Sequence, residues 1–476
     1  MSKHPLEEIL HPRSIAVVGA SDSGGRGSGF VSPLVELGYK GNIYPVNPKY
    51  PEIMGMKAYP RVSDIPGVVD FVISSIPASG VLDMIDDCAQ KGVKAIHLFT
   101  ARFSETGRKD AAELEREMLR RARKGGIRLI GPNCMGVYYP GEGIAFNNGM
   151  PRESGPIGLA SQSGQAVGEI VGLAARKGLR FSKAISYGNA LDFNEADYLE
   201  YFAQDPDTKL ILMYIEGVRD GKRFFNALRR ATSIKPVVIV KGGRGQSGTR
   251  ATASHTASLA GSVEVWETAV NQAGAVSASD LDELVDIAAA LHFLPPIKGR
   301  RVGVAGGSGG SSVLAADQCE EAGLDVIPLP NDIREELKRK GDPTWDWLGN
   351  PADFSITMDN FDMAGMLQMM ASHPSFDLLI IFMHAPWRRS SRAGQPISID
   401  DHIKNYKIDE LKRKPLMIVL QERTWGGNDF DEMRKITEEM RAKVIAAGIP
   451  IYPSIGSAAR AASKAIDYYQ RKKRKK

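Results

Sequence analysis

The sequence predicts an α/β fold of three doubly wound domains, each with a mostly parallel sheet between helices. One pattern occurs three times along the 476 residues: an apolar strand, a turn rich in glycine and serine, and an amphipathic helix closed by glycine. The copies begin near residues 14, 157 and 301, and a spacing of roughly 145 residues is the usual size of one domain. Further short apolar runs are typical of buried parallel strands, namely residues 41–46, 71–74, 95–99, 210–214, 236–240, 378–382 and 416–420.

Turn-rich segments predict where one domain ends and the next begins. Residues 139–151 and 294–299 are rich in proline and glycine, which interrupt helices and strands. The expected domains are therefore residues 1–138, 152–294 and 299–468, followed by a basic tail at 469–476.

The composition excludes several classes of protein. Hydrophobic residues make up 43% of the chain and charged residues 25%, which is ordinary for a globular protein and excludes disorder and collagen. The formal net charge of +5 comes mainly from the six basic residues 471–476, and the rest of the chain is nearly neutral. Because nucleic-acid enzymes usually carry a basic stripe on the fold itself, we expect no nucleic-acid partner and interpret the tail as a frayed, solvated end.

Cysteine usage and hydropathy predict a cytoplasmic protein without a membrane partner. The three cysteines, Cys88, Cys134 and Cys319, are far apart and have neither disulfide-framework nor zinc-site spacing, so no metal site is expected. The first residues lack the apolar core of a signal peptide, and no apolar run approaches the ~20 residues that span a bilayer.

The first glycine turn predicts a nucleotide-like ligand other than NAD. An NAD site needs the pattern G-x-G-x-x-G and an acidic residue at the end of the second strand. In this chain the residues that follow Gly19 do not form that pattern, and Lys49 stands at the end of the second strand, where NAD would need the acidic residue. A lysine there suits a phosphate, such as the 3′-phosphate of coenzyme A or the 2′-phosphate of NADP. A solvated loop lysine is the simpler alternative, and an NADP-linked dehydrogenase stays open from these residues alone.

Four motifs, at residues 11–21, 44–49, 76–78 and 131–133, resemble the CoA-binding domain of the NDP-forming acyl-CoA synthetases. That superfamily includes ADP-forming acetyl-CoA synthetase and succinyl-CoA synthetase. The resemblance implies a CoA site formed by the glycine loop, the lysine and the ends of later strands: Gly19, Ala20, Ser21, Lys49, Ile76, Pro77, Thr100 and Asn133.

Two positions depart from the family pattern. Arg102 stands where a small residue is common, which leaves the acyl preference open, and Cys134 replaces a usual serine. Cys134 is expected to be a small buried hydrophobe rather than a nucleophile, since no histidine or lysine beside it would lower its pKa.

His255 is the candidate catalytic residue of the second domain. It lies between a glycine-rich loop at 242–248 and the start of a helix, whose dipole disfavours imidazolium and stabilises a phosphate on the ring. A second helix start offers hydroxyl and N–H groups to the same phosphate, and Glu216, at a strand end, can accept the other ring N–H. The candidate phosphate turn consists of Ser161, Gln162, Ser163 and Gly164.

Residues 254–262 closely match the phosphohistidine loop of ADP-forming acyl-CoA synthetases, and residues 214–217 match the strand with its partner glutamate. Motifs at 306–310, 349–353 and 448–453 extend the resemblance over nearly the whole chain. It implies a Rossmann-like CoA-binding domain followed by two flavodoxin-like domains. It also implies an acid–CoA ligase (ADP-forming) that works through acyl phosphate and phosphohistidine.

Nothing after residue 453 is long enough for an ATP-grasp domain. The resemblance therefore implies an α-type subunit whose ATP/ADP, with Mg, binds to a separate β-type ATP-grasp subunit, in a hetero-oligomer such as α₂β₂. Two alternatives stay open: a non-catalytic CoA-binding or regulatory protein, and a CoA lyase or ligase variant on the same scaffold. The sequence does not identify the acyl group.

Overall fold

The structure is a computed structural model that describes residues 4–21, 28–248, 262–354, 362–384, 399–420 and 430–474. The chain divides into two compact units, Met1–Leu284 and Val285–Lys476. Two sheets belong to the first unit and one to the second, and each consists of strands that alternate with helices. The predicted fold class, α/β with parallel sheets, is confirmed.

The first sheet is entirely parallel, with strand order β2-β1-β5-β6-β7. Its strands are β1 (Ser14–Val18), β2 (Asn42–Val46), β5 (Phe71–Ser74), β6 (Ala95–Leu98) and β7 (Arg128–Ile130); β3 (Glu52–Ile53) and β4 (Met56–Lys57) form a separate antiparallel pair. The helices are α1 (Pro5–Ile9), α2 (Val31–Leu37), α3 (Val81–Lys91) and α4 (Lys109–Lys124). Every residue of β1, β5 and β6 is buried, which explains why these strands are apolar apart from Ser14, Ser74 and His97.

The second sheet has strand order β13-β12-β11-β9-β10-β8. Its strands are β8 (Val137–Tyr138), β9 (Ile157–Ser161), β10 (Phe181–Ser186), β11 (Leu210–Ile215), β12 (Val237–Lys241) and β13 (Val276–Ala278). The helices are α5 (Gly164–Arg176), α6 (Glu195–Gln204), α7 (Gly221–Ile234), α8 (Val263–Ala273) and α9 (Leu281–Phe293). Only β8 pairs antiparallel among these strands, so this sheet includes a segment that precedes the predicted boundary at 139–151.

The third sheet lies in the second unit and is parallel, with strand order β15-β14-β16-β17-β18. Its strands are β14 (Val302–Gly307), β15 (Ala352–Asp353), β16 (Leu378–Met383), β17 (Leu416–Leu420) and β18 (Ile451–Tyr452). The helices are α10 (Gly309–Glu321), α11 (Asn331–Arg339), α12 (Met363–Ser372), α13 (Ile399–Asn405), α14 (Ile408–Leu411), α15 (Phe430–Ala446) and α16 (Ile455–Arg474). One apolar cluster covers each face of this sheet.

The basic tail is helical rather than frayed through Arg474, which corrects the prediction for these residues. Helix α16 buries a face of small residues that includes Ala458, Ala462 and Ala465, and this packing anchors the helix. Near its end, Arg471 Nε donates to the Asp467 carbonyl at 3.3 Å. Among the described residues, no helix is both long and apolar enough to cross a membrane.

Candidate active site

A cleft of about 630 Å³ opens within the first unit, where loops after strands of the first and second sheets meet. Parallel sheets place their ligands at the carboxyl ends of the strands, where loops and helix N-termini converge. The cleft is lined from the first sheet by residues 75–78, 99–102 and 133–135, and from the second by residues 162–165 and Gly188. Its volume lies within the ~300–1,000 Å³ that is usual for small-molecule sites.

Gly19 directly follows β1 and has a backbone conformation that favours glycine. Its φ is +90°, its N–H donates to the Val46 carbonyl at 2.9 Å, and a Cβ there would lie 2.8 Å from Ser75 Oγ. Gly19 therefore lets Ser75, a residue of the cleft wall, approach the first strand. Ala20 is buried and Ser21 is half-buried, and neither lines the cleft.

Asn47 connects the glycine turn to the loop that contains Lys49. Its Nδ2 donates to the Ala20 carbonyl at 2.7 Å, and its Oδ1 accepts the Lys49 backbone N–H at 3.0 Å. Lys49 is exposed and is not part of the cleft wall. Sequence reasoning did not single out Asn47, although an amide side chain directly after a strand end was an available signal.

The other predicted residues of the first sheet meet in the cleft wall. Thr100 Oγ1 donates to the Ile76 carbonyl at 2.6 Å, and the Asn133 backbone N–H donates to the Thr100 carbonyl at 2.9 Å. These bonds join the loops after three neighbouring strands. Ile76, Pro77, Thr100 and Asn133 all line the cleft.

The predicted phosphate turn forms the opposite wall. Ser161 is buried, donates to the Ser163 carbonyl at 2.8 Å and accepts the Ser163 N–H at 3.2 Å, so it shapes the turn without lining the cleft. Ser163 caps α5, with its Oγ accepting the Ala166 N–H at 3.3 Å. Gln162, Ser163 and Gly164 line the cleft, where the helix N-terminus favours an anion.

Glu216 lies behind this turn and is buried, with 6% of its surface exposed. Gln162 Oε1 accepts the backbone N–H groups of Glu216 and of Gly217, the latter at 2.9 Å. Tyr214 donates its hydroxyl to Glu216 Oε1 at 3.2 Å. The side chain of Gln162 therefore fixes the glutamate loop relative to the phosphate turn, which the sequence did not reveal.

Lys241 is a second residue that sequence reasoning missed. Its ammonium donates to the carbonyls of Glu216 at 2.5 Å and Gly242 at 2.6 Å, and burial lowers the pKa of Lys241.

The predicted nucleophile His255 lies outside the described residues. The structure resumes at Ser262, which caps α8 through the Val265 N–H at 3.4 Å.

Cys134 is buried in the cleft wall, and burial raises the pKa of its thiol, so it is protonated at neutral pH. Within the described ranges, no group of three or more histidine, cysteine, aspartate or glutamate side chains could hold a metal ion.

Doubly wound sheets whose strand-end loops meet at one cleft are typical of α/β proteins that bind nucleotide-like ligands. Residues 13–140 match the model of a CoA binding domain, and residues 154–291 match that of a succinyl-CoA ligase like flavodoxin domain. The protein therefore belongs to the class of CoA-binding acid–CoA ligases.

Two curated relatives from Pyrococcus furiosus identify the family more narrowly. The alpha subunit of acetate–CoA ligase (ADP-forming) II is 37% identical over 80% of this chain and 83% of the relative, and that of acetate–CoA ligase (ADP-forming) I is 34% identical over 96% of each. The solved structure of acetyl-coenzyme A synthetase 1 from Ca. Korarchaeum cryptofilum, in complex with phosphate and ADP, has a TM-score of 0.80 at 32% identity and covers 98% of this chain and 97% of its own. The chain belongs to the family of ADP-forming acetate–CoA ligase α subunits, as the resemblance predicted.

Proposed function

We propose that this chain binds CoA, the acyl group and phosphate in the cleft, and that His255 carries the phosphoryl group to ADP on a separate subunit. The observation that supports this most is the cleft itself. Four of the predicted CoA residues lie on one wall, namely Ile76, Pro77, Thr100 and Asn133, and Gln162, Ser163 and Gly164 of the predicted phosphate turn lie on the other. Acyl transfer from CoA to phosphate requires both reactants side by side.

The CoA side uses the glycine turn and the loop held by Asn47. Asn47 joins Ala20 to the backbone of Lys49 and so keeps the loop of Lys49 beside the glycine turn, from which its exposed ammonium would bind a phosphate of CoA. Thr100, Asn133, Ile76 and Pro77 would contact the remainder of CoA.

The first reaction step is the attack of a phosphate oxygen on the thioester carbonyl. The C–S bond breaks, CoA leaves as the thiolate, and acyl phosphate forms. The N–H groups at the start of α5 and the hydroxyl of Ser163 would hold the phosphate oxygens.

The second step transfers the phosphoryl group from acyl phosphate to a ring nitrogen of His255, which releases the carboxylate of the acid. The sequence motif around His255 supports this assignment. Glu216, held by Gln162 and Tyr214, would accept the other ring N–H and stabilise the charge that develops on the ring. The phosphoryl group then passes to ADP, with Mg, on a β-type ATP-grasp partner, and ligation is the reverse.

The partner is supported by the names of the two relatives, each of which is an alpha subunit. We also propose a cytoplasmic location, which the three free thiols support.

Phosphohistidine mapping tests the proposal. The complex with its partner is given radiolabelled phosphate and acyl-CoA, and we expect an acid-labile, base-stable label on His255. His255→Ala should abolish label and ATP synthesis, and Glu216→Gln should slow labelling roughly 10²-fold or more. Arg116→Gln, on the exposed face of α4, is a matched control. Full turnover in His255→Ala, or label on Ser254, Ser163 or Cys134, contradicts the proposal.

A further inference from the structure

Arg102 is the only charged residue among the described residues that line the cleft, whose wall contains no aspartate or glutamate. Arg102 is exposed to the cleft and forms no ion pair with any residue in the described ranges. A guanidinium that has no carboxylate partner among the described residues of a ligand cleft is suited to bind an anionic oxygen of the ligand.

The backbone of Arg102 adopts a conformation that favours glycine. Its φ is +81°, in the left-handed region where a side chain such as arginine is disfavoured. Glu105 holds this turn, since its carboxylate accepts the backbone N–H groups of Arg102 and of Phe103, the latter at 3.0 Å. Residues held in a disfavoured backbone conformation by their surroundings are concentrated at ligand sites.

The second sheet fixes this loop through Asn189, which is 4% exposed. Asn189 Nδ2 donates to Glu105 at 2.7 Å and to Glu115 at 3.1 Å, and Glu115 also accepts the Ser104 N–H at 3.0 Å. At neighbouring Gly188, a Cβ would lie 2.1 Å from the Pro132 carbonyl oxygen. The loop that contains Gly188 therefore packs backbone against backbone on the loop that contains Pro132. The position of Arg102 is therefore set by both walls of the cleft.

We infer that Arg102 is a specificity-determining residue that binds an anionic group at the far end of the acyl chain, so that the enzyme prefers dicarboxylic acids. This inference rests on the proposed function, in which Lys49 binds the 3′-phosphate of CoA and the turn 161–164 binds the attacking phosphate. Acyl transfer to that phosphate takes place beside the turn, which lines the same cleft as Arg102, so the acyl chain is the part of the substrate that lies within reach of Arg102.

Calorimetry on the full chain tests the inference without the partner. Malonyl-, succinyl- and glutaryl-CoA are compared with the neutral thioesters of equal chain length, propionyl-, butyryl- and pentanoyl-CoA. We expect at least one dicarboxylic thioester to bind about 10- to 100-fold more tightly than its neutral counterpart, as one charge-assisted hydrogen bond provides. Arg102→Gln should remove this preference, whereas Arg116→Gln, which removes an exposed charge on α4, should keep it.

Arg102→Gly provides a second variant, because glycine takes a positive φ without strain and this variant should fold. Equal affinities for charged and neutral thioesters in the wild type, or an unchanged preference in both variants, overturn the inference while leaving the proposed function standing. Weaker binding of inorganic phosphate, with an unchanged thioester preference, assigns Arg102 to phosphate and overturns the acyl assignment. Failure of CoA and every thioester to bind contradicts the proposed function itself.

Discussion

Single side chains hold the loops of the cleft together over long distances in the sequence. Asn47 joins residues on two strand ends, Gln162 joins the phosphate turn to the loop at 216–217, and Asn189 joins the two walls. Each of these amides forms a hydrogen bond with a backbone or carboxylate atom of a residue that is distant in the sequence.

Lys49→Ala should weaken the binding of CoA much more than that of dephospho-CoA. The variant removes one charge-assisted contact to a phosphate, worth ~1.5–3 kcal/mol, and dephospho-CoA lacks the 3′-phosphate proposed to make it. Calorimetry of the two ligands measures the difference, with exposed Lys40→Ala as the control. An equal loss of affinity for both ligands would assign Lys49 to another part of CoA.

His97 should make the fold sensitive to acid. Burial lowers the pKa of His97 to about 4 from an ordinary 6.5, and its Nε2 lies 3.0 Å from the Cys134 carbonyl oxygen. Between these values the unfolded chain binds a proton that the folded chain does not, so stability falls as the pH decreases from 6.5 to 4, by about 3 kcal/mol in full.

Thermal unfolding of the wild type and of His97→Gln at several pH values between 7 and 4 checks this expectation. The difference between their unfolding midpoints should shrink as the pH falls, since only the wild type loses the contribution of the neutral ring. A difference that stays constant over this range would contradict it.

Among the elements, we expect α5 to link stability to the proposed phosphate binding. Ser163→Ala removes the N-cap bond to Ala166 and should cost about 1 kcal/mol, and it should also weaken phosphate binding because the hydroxyl lines the cleft. Asp220→Ala removes the corresponding N-cap of α7, whose carboxylate accepts the Arg223 N–H at 2.9 Å and does not line the cleft. Unfolding and phosphate titration of both variants should show a similar loss of stability and a loss of phosphate affinity in Ser163→Ala alone.

At the scale of the whole molecule, we expect the chain alone to show no nucleotide turnover. The relatives that match 83% and 96% of their own lengths are alpha subunits, and the ATP-grasp activity is proposed for the partner. An assay of CoA-dependent ATP formation, with contaminating kinases excluded, should give signal only when the partner is added. Turnover by the purified chain would contradict the two-subunit proposal.

Much of the fold could be predicted because the signals are local. Buried strands contain apolar runs such as residues 15–18 of β1, and glycines with positive φ, such as Gly38 and Gly92, end α2 and α3. Local signals did not predict that β8 pairs antiparallel in the second sheet, since a two-residue strand has no detectable period. They also failed at residues 471–474, where charge indicated a frayed end. Helix α16, whose buried residues extend to Tyr468, continues through Arg474, with Lys472, Lys473 and Arg474 exposed.

The sequence by itself determined the three strand–turn–helix units and the family, because turn chemistry and short motifs depend on neighbours in the chain. For the same reason it proposed the candidate site residues, which include Glu216 and His255. Only the tertiary structure decided which loops meet: that residues 75–78 face the turn 161–164, and that Gln162 holds the loop of Glu216. It also decided that Arg102 is the single charged residue among the described residues that line the cleft. Such contacts join residues more than 50 positions apart, and their geometry depends on how whole sheets pack rather than on any local pattern.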